Sequence, residues 1–287
     1  MVSSAPWGAF RPPAVKNGGV SESAETHLFP PMNERWAAIL RGEHPLRFAQ
    51  RAGRRAFALA PGSTRCKLCN APFTGLSAAA FRLCGYGQSR KNPRLCARCV
   101  ESAPEGGAVV PLAILFADVR GYTSLTERLG TMEATGLVNR FYEVASKAFL
   151  PLEGLLGQIA GDEVMAIFVP GLAGRSYREK AVQAGASLLG AVGYGTAKSS
   201  WVEVGVGIAS GEEFVGNVGG GGFKDFTAIG DITNTAARLT SAAQAGEILL
   251  DAATHAAVVE DYPAAEREQM HFKGKEAAVE VFRLRRS

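Results

Sequence analysis

An apolar run that ends abruptly in a carboxylate and a glycine most narrows what this chain can fold into. Ile114-Leu115-Phe116-Ala117-Asp118-Val119-Arg120-Gly121-Tyr122-Thr123-Ser124-Leu125 reads as a buried strand that delivers Asp118 to its carboxyl end. The turn that follows has free backbone N–H groups, suited to phosphate and its metal ions. A single strand of this kind is common. A second carboxylate from a neighbouring strand makes it a site, and Gly161-Asp162 is the candidate.

Apolar residues make up 47% of the 287, enough for a substantial core and incompatible with disorder throughout. The longest apolar run, residues 108–117, contains Pro111 and falls far short of the ~20 residues a membrane span needs. Residues 1–6 show no basic stretch leading into an apolar core, so no secretory signal is expected. These features point to a soluble, cytoplasmic protein. Residues 1–100 carry 15 Lys and Arg against 4 Glu, whereas the remainder carries 16 against 23 acids, which suggests two modules of opposite sign. No aromatic stacking platform is interleaved with the basic residues, so nucleic acid is disfavoured as a partner relative to anionic lipid or the acidic half itself.

Residues 1–30, rich in Pro, Gly, Ser and Ala, read as a flexible leader. Residues 31–60 form a basic helical segment. Its first helix is expected over 33–41, with Asn33 as N-cap and Trp36, Ile39 and Leu40 on one face. A second basic amphipathic stretch, 45–57, is expected to break at Gly53. All five cysteines lie in a third segment, 61–104. Cys66-Lys67-Leu68-Cys69 and Cys96-Ala97-Arg98-Cys99 are two C-x2-C pairs, and two such knuckles complete a tetrahedral four-sulfur site for structural Zn2+. The alternative is a redox pair or plain buried thiols. Cys84 is left over, as a bystander thiol or a replacement ligand. The module is either a structural prefix or a docking element for a protein partner.

After an acidic, Gly-containing linker at 101–108, residues 108–287 read as one domain of α and β elements. A helix is expected over Thr131 to Phe149, a hairpin over 154–168 with Asp162 in its turn, a helix over Arg178 to Val192 and a strand over Val202 to Ser210. Gly211 to Gly222 reads as a mobile hairpin tip and Lys224 to Ile229 as the returning strand. Asp231 is the expected N-cap of a helix carrying Asn234 and Arg238 one turn apart on one face, so that both reach a single anionic ligand.

Phe116-Ala117-Asp118-Val119-Arg120-Gly121-Tyr122-Thr123, Gly161-Asp162-Glu163-Val164-Met165-Ala166-Ile167-Phe168, Phe226-Thr227-Ala228-Ile229-Gly230-Asp231 through Asn234-Thr235-Ala236-Ala237-Arg238-Leu239, and Phe272-Lys273-Gly274-Lys275 together resemble, in order and spacing, a class III nucleotidyl cyclase catalytic domain. The likeness covers about residues 110 to 284, and the cysteine segment resembles one found ahead of some bacterial members. The resemblance implies an α+β fold, a ferredoxin-like βαββαβ core with a mainly antiparallel sheet and flanking helices, preceded by the small four-cysteine module. It implies that Asp118, Asp162 and the backbone of Val119 hold two Mg2+ or Mn2+ ions, and that Gly121, Tyr122, Thr123 and Lys273, with Lys275 as competitor, receive phosphate oxygens. Asn234 then orients the ribose and Arg238 stabilises charge at the α-phosphate. In this family the two halves of the set come from opposite protomers, so a head-to-tail homodimer is implied.

The same resemblance puts base selection on Gln158 and Thr227. Adenylyl cyclases typically carry Lys and then Asp or Thr there; guanylyl cyclases carry Glu and a small residue. Thr227 fits the adenylyl scheme and Gln158 fits neither, since an amide donates or accepts by rotating. ATP is the expected substrate, with GTP as the competitor and relaxed selection between them.

Overall fold

The computed structural model describes residues 34–43, 48–103, 105–196, 199–220, 223–272 and 277–285. The expected leader and Asn33 lie outside this set. The described residues belong to one compact unit spanning Pro31–Ser287. Among the described residues four helices precede the first strand: α1 (Glu34–Arg41), α2 (Phe48–Leu59), α3 (Ala78–Leu83) and α4 (Ala97–Val100). The order is then β1 (Gly106–Val119), α5 (Tyr122–Leu129), α6 (Thr131–Phe149), β2 (Leu155–Ala160), β3 (Glu163–Phe168), α7 (Pro170–Ala173), α8 (Tyr177–Val192), β4 (Val204–Gly220), β5 (Phe223–Ile229), α9 (Asp231–Ala242), β6 (Glu247–Asp251), α10 (Ala252–Ala256), β7 (Glu266–Met270) and β8 (Val279–Arg285).

The strands order as β2-β3-β1-β4-β6-β8-β7, with β5 added to β4 as a hairpin. The first four strands of that path give the expected ferredoxin-like arrangement, with β1 antiparallel to both β3 and β4. Only β4 with β6 is parallel among these pairings. Strand β1 is central because its residues are apolar on both faces. Ala113, Leu115, Ala117 and Val119 pack under α6 and α8. Leu112, Ile114 and Phe116 belong to the opposite core, with Trp36 and Leu40 of α1, the buried cysteines, and Ala236 and Leu239 of α9. Pro111 is tolerated because β3 pairs with β1 only from Ala113 onward, so no ladder donor is needed on that edge.

Four expectations are corrected. Helix α2 runs through Gly53; one glycine costs only about 1 kcal/mol in a helix, and the flanking arginines and alanines favour it. Gly211 to Gly220 is strand: β4 pairs with β1 from Val119↔Val204 to Gly106↔Asn217, so long-range pairing overrides the low strand propensity of glycine. The linker is correspondingly shorter, since β1 begins at Gly106. Asp231 is the first residue of α9, and Gly230 is the N-cap.

The charge asymmetry resolves as packing. Lys67 and Arg94 both pair with the buried carboxylate of Glu153, and Lys91 pairs with Asp225 at 3.0 Å. Asn217 Nδ2 donates to the carbonyls of Val100 and Ala103 at 3.0 and 2.9 Å, fastening the cysteine segment to β4.

Candidate active site and cysteine centre

Asp118 lies at the end of β1, paired in register with Glu163 of β3. The β2–β3 turn brings Asp162 beside it. The Asp162 carbonyl accepts from Val119 N at 3.2 Å, and the Asp162 carboxyl is close enough to push the Asp118 carboxyl up. Tyr142 of α6 donates to the Gly161 carbonyl and so steadies that turn. Burial pushes the Asp118 carboxyl up to about 7; the Arg120 guanidinium pulls it down, and Asp162 and Glu163 push it up again. Burial and Asp162 also raise Glu163.

The Asp118 carboxyl, half-buried and driven toward protonation by folding with Asp162 beside it, fits a divalent cation, whose charge removes both the desolvation cost and the mutual repulsion. Beyond the pair, Gly121 takes a left-handed conformation, φ +64°, and caps α5. The first-turn N–H groups of α5, from Tyr122 and Thr123 onward, have no acceptor within the helix and open toward an anion.

Arg120 ties this end of the sheet to α9. Its guanidinium pairs with Asp118 and donates to the carbonyls of Thr240 at 3.1 Å and Ala243 at 3.2 Å, at the helix C-terminus. The helix lies against β4 so closely that a Cβ on Gly207 would collide with Thr240 N and the Ala236 carbonyl. Its other end is held by Glu213, a carboxylate only 4% exposed. Glu213 Oε2 accepts from Thr233 N and Thr233 Oγ1, both at 2.9 Å. Gly230 is required beside it: its φ is +154°, and a Cβ would strike the Glu213 carboxylate. Glu213 therefore does the capping expected of Asp231, from 20 residues away.

Asn234 is exposed and Arg238 half-buried on α9. Asn234 lies about 9 Å along the helix axis from Thr240, whose carbonyl the Asp118-bound guanidinium holds. Within one chain the aspartates thus meet the C-terminal end of α9, while Asn234 sits toward the opposite end. Thr227 is half-buried on β5. The backbone of Gln158 belongs to β2, but its side chain is outside the described residues, as are Lys273 and Lys275.

Cys66, Cys69, Cys96 and Cys99 converge, with all sulfurs within 4.8 Å of one another. Cys69 and Cys96 are 3.6 Å apart, near the ~3.8 Å that a tetrahedral site with 2.3 Å metal–sulfur bonds requires. Cys66 also accepts from Cys96 N at 3.2 Å. Hydrogen bonds from Cys69, Cys96 and Cys99 pull the Cys66 thiol down, while those same contacts with Cys66 push Cys96 and Cys99 up. Four thiolates cannot share this space without a cation. Cys84 is exposed and outside the cluster.

A family model described as the adenylate and guanylate cyclase catalytic domain matches residues 108–285. Among curated proteins, the chain is 26% identical over 181 residues to the terminal-differentiation-specific adenylate cyclase of Dictyostelium discoideum, covering 60% of this chain and 8% of that one. It is 29% identical over 142 residues to an adenylate cyclase of Anabaena cylindrica, covering 45% and 26%. The chain thus spans about a quarter or less of the length of these relatives. Among solved structures, it is similar to the adenylyl cyclase CyaB of P. aeruginosa at 30% identity and TM-score 0.53, covering 60% of this chain and 92% of that one. The guanylyl cyclase Cya2 shares the fold at 23% identity and TM-score 0.54, covering 60% and 90%.

The raised Asp118 titration sets a pH dependence. Folding disfavours its charged form, so its contribution to stability is full below the ordinary carboxyl value near 4 and is lost as pH climbs through about 7. A cation competes with that proton. Mn2+ affinity is expected to rise about tenfold from pH 6 to pH 8, with proton release, as read by calorimetry in buffers of different ionisation enthalpy. An affinity that is flat across this range contradicts the assignment.

Proposed function

The chain belongs to the adenylate and guanylate cyclase catalytic domain family, and we propose that it converts ATP to 3′,5′-cyclic AMP and pyrophosphate in a site shared between two copies. The reading is carried by the meeting of Asp118 and Asp162 beside the Gly121-capped turn. Asp118, Asp162 and the Val119 carbonyl would hold two Mg2+ or Mn2+ ions, which, when bound, acidify the ribose 3′-OH and neutralise triphosphate charge. The backbone of Gly121, Tyr122 and Thr123 receives phosphate oxygens at the N-terminus of α5. Asn234 of a second copy orients the ribose, and its Arg238 takes charge developing on the α-phosphate during in-line attack. Lys273 of that copy grips the terminal phosphates. Glu213 and Gly230 keep the N-terminal turn of α9, and with it Asn234, in a fixed place.

Thr227 accepts from the adenine amino group, and the Gln158 amide serves the ring nitrogen beside it. A neutral amide discriminates less than a charged partner does, so the preference for ATP over GTP is modest. In the cysteine segment the donor set suits structural Zn2+, which makes residues 61–104 a metal-folded prefix.

Two measurements check these readings. Purified protein with Mn2+ is expected to form cyclic AMP faster than cyclic GMP, and Asp118→Ala to lose at least about a hundredfold in rate while staying folded by circular dichroism. A preference for GTP, or full activity in the variant, overturns the assignment. Elemental analysis is expected to find one zinc per chain, lost together with several degrees of Tm in Cys99→Ser. Metal-free protein of unchanged stability contradicts the zinc centre.

A further inference from the structure

One cation of the cysteine segment reaches the two strands on which base selection rests. Lys91 Nζ donates to the Gly157 carbonyl at 3.3 Å and pairs with Asp225 Oδ1 at 3.0 Å. Its side chain is only 15% exposed. The Lys91 carbonyl also accepts from Leu156 N at 2.8 Å, and Asn92 Nδ2 donates to the Gly154 carbonyl at 3.0 Å. The loop therefore lies along the free edge of β2, the outermost strand of the sheet path.

Both contact points are informative. Strand β2 pairs with β3 as Leu156↔Ala166 and then Ile159↔Val164. Two residues, Gly157 and Gln158, thus stand opposite the single residue Met165, which is a β-bulge. Bulges re-aim side chains and occur beside active sites, and an unpinned bulge leaves the ladder locally loose. Here the Gly157 carbonyl is held by the Lys91 ammonium. On the other side, Asp225 and Thr227 are two residues apart on β5 and share a face. Phe226 between them turns the opposite way and packs against Trp36. One buried ammonium thus fastens the bulge carrying Gln158 to the strand face carrying Thr227.

The position of that ammonium is dictated from the metal-type cluster. Lys91 lies five residues before Cys96, and the intervening turn is closed by Leu95 N to the Asn92 carbonyl at 2.9 Å and Lys67 N to the Arg94 carbonyl at 3.0 Å. At its other side Lys91 N donates to Ser89 Oγ, which donates to Glu101. The backbone that carries the side chain is thus fixed on both sides.

We propose that Lys91 is a positioning residue for nucleobase discrimination: from the cysteine segment, it sets the spacing between Gln158 and Thr227. This rests on the reading of those two residues as the base-selecting pair. An ammonium held between a carbonyl and a carboxylate is a charge-assisted tie, and a bulge freed from it lets position 158 shift relative to Thr227. Ground-state recognition of the base then weakens, while Asp118 keeps the register with Glu163 that β1 and β3 set without the bulge.

The test uses full-length protein with Mn2+ and compares Lys91→Met, Lys91→Arg and Asp225→Asn with the parent. Lys91→Met keeps the aliphatic stem, and Asp225→Asn removes the charge that holds the ammonium without altering the cysteine loop. Both are expected to raise KM for the preferred nucleotide about tenfold, leave kcat within about threefold, and move the ATP-to-GTP ratio of kcat/KM toward one. Lys91→Arg, which reaches the same two acceptors, restores the ratio. Tm and metal content stay at parental values, which a merely structural role would not allow together with a changed ratio. An unchanged ratio in both disrupting variants overturns the proposal and leaves the cyclase assignment intact. A parent protein that neither turns over nor binds either nucleotide overturns the cyclase assignment and this inference with it.

Discussion

The antiparallel ladder between β1 and β4 is the constraint on which the remaining structure depends. It runs the whole 14 residues of β1, with apolar side chains buried on both faces, so its register cannot slip by one residue without exchanging the two cores. One end of the ladder places Asp118 at the carboxyl end of this central strand. The other end presents Asn217 to the cysteine segment. Helix α9 lies over its middle and is held at both ends by buried charge: Glu213 at the N-terminus, Arg120 at the C-terminus. Placement of the candidate site is thus a consequence of sheet register and of two long-range caps.

Charge does more here than keep a surface hydrated. Lys67, Lys91 and Arg94 of the basic segment reach acidic partners of the later chain, and Glu153, nearly buried, receives two of them. An unpaired buried carboxylate is costly, so the cysteine segment is expected to stay docked rather than swing free. The shared core that joins Cys66 and Cys96 to Ile114, Leu155 and Phe226 acts in the same direction.

Much of this was legible in the residues. Helix α6 begins and ends at the positions read from its periodicity, and the Gly161-Asp162 turn stands between two strands as expected. Those features are local, set by periodicity and turn chemistry within a few residues. What escaped is long-range. Gly211 to Gly220 is strand because β1 lies beside it as far as Asn217 and β5 pairs with it from Phe214 to the end. Glu213 caps a helix that begins 18 residues later in the chain, and the local candidate, Asp231, looked sufficient. Lys91 meets Asp225 across 134 residues; nothing near either residue signals the other. The two cysteine knuckles, by contrast, announced their convergence through spacing alone.

The central claim of the proposed function is that the catalytic set is divided between two copies. Mixing Asp118→Ala chains with Arg238→Ala chains, each inactive alone, measures this directly. At equal proportions half of the dimers pair one of each, and each such dimer keeps one intact site of two. Recovery to about a quarter of parental activity is therefore expected. No recovery on mixing, with both variants folded and dimeric, contradicts a shared site.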